Sequence, residues 1–320
     1  MSKITKGWLI GATLLTVIGC ILMGSVMIML KWDFFKLSTI TYETNEHTID
    51  EAFQGLSITS DTADIELVSS ENGKVSVVCH EQTNQKHTVA VENGTLVVRL
   101  NDTRKWYEYI GIHFGTPCIT VYLPAGDYGA LTVKESTGDI KVPENFVFER
   151  IDVTSSTGDV IVQASATDII RVKTDTGSIR VEKLSAKALD LSVSTGKITL
   201  SQITCEGNVA IKVSTGKTDL NDVTCQSLTS SGSTGSLSLH HVIATEVFTI
   251  RRSTGDVRFD HCDAATISVK TDTGDVSGTL LTAKRFVTET STGSVRVPQS
   301  DSGGKCEIHT STGDITITIP

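Results

Sequence analysis

The chain is short of positive charge, of disulfide-spaced cysteines and of helical periodicity, and each shortage removes a class of function. Lys and Arg number 28 against 37 Asp and Glu, a net charge of −9. Nucleic acid and anionic lipid are therefore not expected to bind through charge alone. Of seven cysteines, Cys20 lies in an apolar run, and Cys79, Cys118, Cys205, Cys225, Cys262 and Cys306 show no dense disulfide pattern. The Gly-Gly-x-Gly-x-Asp repeat of calcium-loaded β-rolls is absent. Only one apolar run is long enough to span a bilayer, and no Ala-x-Ala cleavage site follows it.

What the sequence has in abundance is a period. A Thr-Gly pair recurs ten times, with glycines at Gly138, Gly158, Gly177, Gly196, Gly216, Gly235, Gly255, Gly274, Gly293 and Gly313, stepping by 19 or 20 residues. A fixed period of this size marks a repeat architecture. With each Gly as position zero, position minus seven is apolar in all ten copies, and plus two is apolar in nine, Thr218 being the exception. Positions minus five and plus four follow, apart from Ser230, Thr288 and Gly278. Alternation at period two is the mark of strands with one buried face. The buried parity switches across each Gly, so the chain turns a corner there, where Gly tolerates positive φ. The 19-versus-20 variation falls between plus four and the next repeat, which reads as a loop.

One such unit cannot bury its own apolar face, but stacked units do, with like residues in columns about 4.8 Å apart. The expected fold is all-β: a parallel β-solenoid of about ten coils plus degenerate N-terminal coils, behind one transmembrane helix. An antiparallel meander of hairpins turning at each Thr-Gly is the alternative. The domain plan is a cytoplasmic N-terminus over 1–6, a transmembrane helix over 7–30 and a juxtamembrane linker over 31–50. An irregular β region or cap over 51–130 and the regular solenoid over 131–320 complete it. Gly7–Leu30 carries no charge, Lys3 and Lys6 precede it, and Trp8 and Trp32 stand at its margins.

No catalytic constellation accompanies the repeat. The Thr column shares parity with the buried positions before Gly and reads as an inward hydroxyl ladder rather than a flat outward ice-binding row. Asp139, Asp159, Asp256, Asp275 and Asp314 follow their glycines, but Lys197 and Lys217 interrupt that column, which reads as solvated turn aspartates. Asp222, His241 and His261 share position plus six and stack in a solenoid, as do Cys205 and Cys225 at plus nine. Neither column reads as a metal site, and no cofactor is expected. The patch from Arg251 to Asp275 is the best place for a carbohydrate-active enzyme, yet its acids and bases alternate as on an ordinary strand surface. Arg252 is odd, standing at an inward position that is otherwise small. The segment 105–114 interrupts the pattern, and its Trp106, Tyr107, Tyr109 and Phe114 form either a cap or a partner surface. At the other end the chain stops at Pro320 just after a strand, which invites end-to-end self-association.

Ser-Thr-Gly-Asp at Ser136–Asp139, Ser156–Asp159, Ser253–Asp256 and Ser311–Asp314 is the first of three features that carry a family likeness. The second is the lead-in Ile119-Thr-Val-Tyr-Leu-Pro124, and the third is Phe53–Leu67, a degenerate copy with Ala63 at the Gly position. Together they resemble the adhesin-like β-strand-repeat proteins of the bacterial DUF4097 family, over about residues 40–320. The resemblance implies a β-rich repeat domain on the bacterial envelope, beside a membrane segment, without enzymatic activity. For some relatives it also implies a link to envelope stress. The functional expectation is a membrane-anchored surface-binding or scaffold module, N-terminus cytoplasmic and β domain extracytoplasmic, with a protein or an envelope polysaccharide as partner. A cytoplasm-facing assembly scaffold is the alternative.

Overall fold

A computed structural model describes residues 2–33, 41–104 and 115–320. The helix runs over Lys3–Met29, its first turn capped by the Ser2 hydroxyl, which accepts from Thr5 N at 3.2 Å. It is apolar all round, with Leu9, Leu14, Val17, Ile21 and Leu22 exposed and a mean hydropathy of 2.2. By length and composition it is able to cross a membrane.

The repeats form a parallel solenoid. Strand Phe146–Thr157 pairs in parallel with Gly126–Thr137 below and Ile169–Thr176 above, and the next ladders continue in the same sense. Residues at equal offsets are partners, as Ile151↔Ile170 and Thr157↔Thr176 show. The hairpin meander is thereby set aside.

Most of the regular coils have three strand segments, one more than the core pattern required. In the coil of Gly177, Ile170, Val172 and Thr174 face inward, then Ile179 and Val181, then Leu184 and Ala186. The stretch after plus four, read above as loop, is thus partly strand, with apolar residues at plus seven and plus nine inside. A second corner makes this work. Lys183, Gln202, Asp222, His241 and His261, all at plus six, have φ between 51° and 57°, the left-handed region without glycine.

The Thr column also differs from expectation. All ten of these threonines are exposed, because the chain starts its corner before the glycine and rotates position minus one outward; minus three is the last inward site. The Thr carbonyls do structural work instead, accepting from the glycine N–H of the neighbouring coil, as in Gly177 N→Thr195 O at 3.0 Å. The turn aspartates have a matching role. Asp139 Oδ1 accepts from Asp159 N at 2.8 Å, Asp159 Oδ1 from Ser178 N at 2.7 Å, and Asp275 Oδ1 from Asp314 N at 2.8 Å. Each satisfies a backbone donor that the corner leaves without a ladder partner.

Stack order departs from chain order at both ends. Ala63 lies directly beneath Gly138, so Leu56–Leu67 is the coil next to the first regular one. On its other side it pairs with Thr95–Asp102 and Cys118–Leu123, and Val75–Gln82 then runs antiparallel to Cys118–Leu123. The strand Tyr42–Ile49 falls inside the stretch read as a linker. At the C-terminal end, Gly304–Thr312 pairs with both Val257–Thr273 and Lys284–Thr292. The last coil in sequence therefore lies between its two predecessors. The outermost coil is that of Gly293, with Val287 and Val295 exposed, and Ile315–Thr318 is interior to the stack rather than its open end.

Candidate functional site

Thr218 at plus two and Ser230 at minus five interrupted apolar columns in the sequence, and Arg252 stood out by its size at minus three. The structure brings them together. Arg252 is only 4% exposed; its Nη2 donates to Ser230 Oγ at 2.9 Å and lies 3.5 Å from Thr218 Oγ1. Nη1 reaches the Arg251 carbonyl at 3.5 Å, and Nε is buried with no partner. Gly232 occupies the minus-three position one coil earlier, and any Cβ there would collide with the guanidinium. The large residue on one coil is accommodated by the missing side chain on the next. Burial pulls the Arg252 pKa down to about 10, so the group stays charged at neutral pH.

The outer face of the same strands carries a surface cleft of about 570 Å³, bordered by Gly232 and Arg252. Its floor and walls follow from register: Lys212↔Ser231, Ser231↔Arg251 and Arg251↔Lys270 are successive rungs of one outward column. Ser214, Ser233 and Ser253 add hydroxyls, and Asp272 is the one carboxylate lining it. A cation-rich, hydroxyl-lined cleft on a chain of net charge −9 is a local inversion of sign. It can hold an anion by charge-assisted hydrogen bonds, but it offers no acid–base pair.

In the patch from Arg251 to Asp275, three of the five aspartates meet a neighbouring basic side chain. Asp256 meets Arg258 at 3.4 Å, Asp260 meets His240 and His261, and Asp263 meets Lys284 at 2.6 Å. The His241 and His261 rings stack at 5.5 Å on the solvent side of the second corner. Cys205 and Cys225 are free, buried and on adjacent coils, and burial pushes the Cys225 thiol up to about 12. Trp106, Tyr107, Tyr109 and Phe114 lie outside the described residues. The ten corner glycines occupy one column with positive φ.

A second polar cluster had no sequence signal beyond alternation. Cys79, Glu81 and His87 are all buried, and their ligand atoms lie within 4.8 Å of one another. Cys79 and Glu81 are two apart on Val75–Gln82, and His87 returns on Gln85–Glu92. The polar atoms of Glu81 and His87 are already engaged. Glu81 accepts from His87 N at 2.6 Å, from His87 Nδ1 at 2.7 Å and from Asn45 Nδ2 at 2.8 Å, while His87 Nε2 meets Ser60 Oγ at 3.0 Å. This network ties the returning strand to the first coil.

Solved structures similar to the chain include a putative adhesin from Bacteroides fragilis (13% identity, 87% of this chain and 97% of that one, TM-score 0.43). Another is a putative lipid binding protein from Parabacteroides distasonis (18%, 75% and 98%, TM-score 0.49). A third is a putative adhesin from Parabacteroides merdae (13%, 74% and 96%, TM-score 0.49). No curated protein matches the sequence. The family model described as Toastrack DUF4097 matches residues 53–212 and 206–320, so the chain belongs to the DUF4097, or Toastrack, family.

Proposed function

We propose that the protein is a non-enzymatic binding module of the bacterial envelope, anchored by its N-terminal helix with the solenoid on the extracytoplasmic side. The observation that carries this reading is the surface chemistry of the stack. In-register coils repeat exposed Thr, Ser and charged side chains at the ladder spacing, which suits extended or repetitive ligands. In the one patch suited to glycan cleavage, Asp256 and Asp263 are engaged by Arg258 and Lys284. The charge-free run Gly7–Leu30 supports the anchor, and the lysines before that run support a cytoplasmic N-terminus.

The test uses the full-length protein in detergent micelles, incubated with isolated envelope polysaccharide. Co-sedimentation and release of soluble oligosaccharide are followed together. Binding without product is the expected outcome. Product release would overturn the non-enzymatic reading, and absence of both would remove polysaccharide binding in favour of scaffolding.

A further inference from the structure

We infer that the outermost coil, that of Gly293, is a self-association face, where a second copy of this chain pairs antiparallel with Lys284–Thr292 about a two-fold axis through Val287. The first observation is an unfinished ladder. Nine of the ten corner glycines, those from Gly138 to Gly274 together with Gly313, donate N–H to the Thr carbonyl of the next coil outward. Gly293 is the tenth, and among the described residues no coil lies beyond it. Lys284–Thr292 is a nine-residue strand with a single ladder partner, and it has neither the proline nor the bulge that blunts a natural sheet edge. The opposite end is finished differently: Val75–Gln82 runs antiparallel on Cys118–Leu123 and ends the parallel ladder there.

The second observation is apolar surface at that edge. Minus seven and plus two are fully buried in the interior coils, as Ile267 and Val276 are. In the coil of Gly293 the same positions are open: Phe286 is only partly buried and Val295 is 42% exposed. A hollow of about 520 Å³ lined by Phe286, Val297 and Pro298 lies beside them. Val287, on the outward face of the same strand, is 53% exposed. A stack of repeats needs its last coil covered.

Charge pattern commits this edge to a second copy. Arg285 and Glu289 stand two residues either side of Val287, on the same exposed face. Antiparallel pairing about Val287 sets Val287 opposite Val287 and Arg285 opposite Glu289 twice, the favourable cross-strand arrangement. Centring the pair on Arg285 or on Glu289 would oppose like charges instead. Existing contacts are compatible with this: the Glu289 side chain is 75% exposed although it meets His309 at 3.2 Å, and Arg285 donates to the Gly303 carbonyl through Nε rather than its terminal nitrogens. The same axis turns the open core of one stack onto that of the other, so Phe286 and Val295 are covered together. The face of one coil is small, so the dimer is a weak one. This inference goes beyond the binding-module reading and does not depend on which side of the membrane the solenoid occupies.

The experiment is sedimentation equilibrium of the full-length protein in density-matched detergent micelles, from about 1 μM to about 500 μM, a window suited to weak association. A concentration-dependent monomer–dimer equilibrium is expected. Arg285→Glu and Glu289→Arg should each weaken it about tenfold, and the two together should restore it, because the reversed charges again face their complements. Both positions are exposed, so the diluted variants should keep the wild-type thermal midpoint. In a Cys20→Ser background with copper phenanthroline as oxidant, Val287→Cys should form a disulfide-linked dimer. Ser291→Cys, which the axis sets opposite Ala283, should not. A monomer at every concentration, as when a strand of a different protein covers the coil, overturns the proposal. So does a dimer that the single reversals leave intact, which would put the contact in the helix, and so does a double variant that fails to recover. Growth beyond the dimer overturns the two-fold axis. Labelling that placed the solenoid in the cytoplasm would refute the envelope reading and leave this equilibrium standing.

Discussion

Substituting Gly196 by Ala tests the stacking geometry at one of its tightest points. Gly196 has φ 150°, and a Cβ there would run into the carbonyl oxygen of Gly177 on the neighbouring coil. Backbone strain for a residue with a side chain in such a conformation costs about 1–3 kcal/mol. Relief of the collision requires the two coils to separate at the corner. That loosens Gly177 N→Thr195 O (3.0 Å) and Ile179 N→Lys197 O (2.8 Å), each worth about 1 kcal/mol net. The sum is about 3–5 kcal/mol, lost locally because a solenoid is held by nearest-neighbour terms. Gly73→Ala is the control, since Gly73 has φ 69° with open space around it and should cost only about 1–2 kcal/mol. Hydrogen–deuterium exchange across Ile170–Leu200 reads the effect directly, and about a hundredfold faster exchange or more is expected there at that energy. Protection unchanged from the wild type, or a loss no larger than for Gly73→Ala, would refute the argument that carbonyl contact fixes the glycine.

Two further predictions concern the interior and the second corner. Glu135 is buried at minus three with Oε2 unpartnered, and burial raises its carboxyl from 4.5 to about 7. Its neutral form is the one the fold favours, so its contribution is complete below pH 4.5 and is lost as pH rises through 7. The difference is worth about 3 kcal/mol. Glu135→Gln should remove this part of the decline in thermal midpoint between pH 5 and 8; an identical slope in the variant would contradict it. At the second corner, Lys183 is exposed with φ 53°. Lys183→Gly should be neutral or stabilising by up to ~1 kcal/mol, whereas Lys183→Val should cost ~1–2 kcal/mol. Equal urea midpoints for the two variants would disprove left-handed strain at this site.

The period and the alternation about each glycine were enough to read a parallel stack, because both are local consequences of one backbone turn repeated ten times. Ala63 was legible as a glycine-column residue for the same reason, and the structure places it beneath Gly138. The second corner was hidden because Lys, Gln, Asp and His fill it, residues that carry no compositional mark of positive φ. A signal existed: apolar residues at plus seven and plus nine, such as Leu184 with Ala186 and Ile203 with Cys205, switch parity against plus two and plus four. The outward turn of the Thr column was missed because parity counting assumes a straight strand up to the glycine. Stack order at the ends is not a local property at all. Similar coils are interchangeable, so nothing in the pattern of Gly293 and Gly313 says which one docks on Gly274. Thr218, Ser230 and Arg252 were each visible as exceptions, but only register reveals that they meet.

The central claim, a solenoid held outside the membrane by its N-terminal helix, is tested most directly by a thiol reporter. The native thiols of the solenoid are mostly buried, so Asp301→Cys, at an exposed position of the full-length protein, supplies an accessible one. Intact cells are treated with a membrane-impermeant maleimide and compared with lysed cells. The account predicts that Asp301→Cys is labelled as fully in intact cells as after lysis. Labelling that appears only after lysis would contradict it and place the solenoid in the cytoplasm.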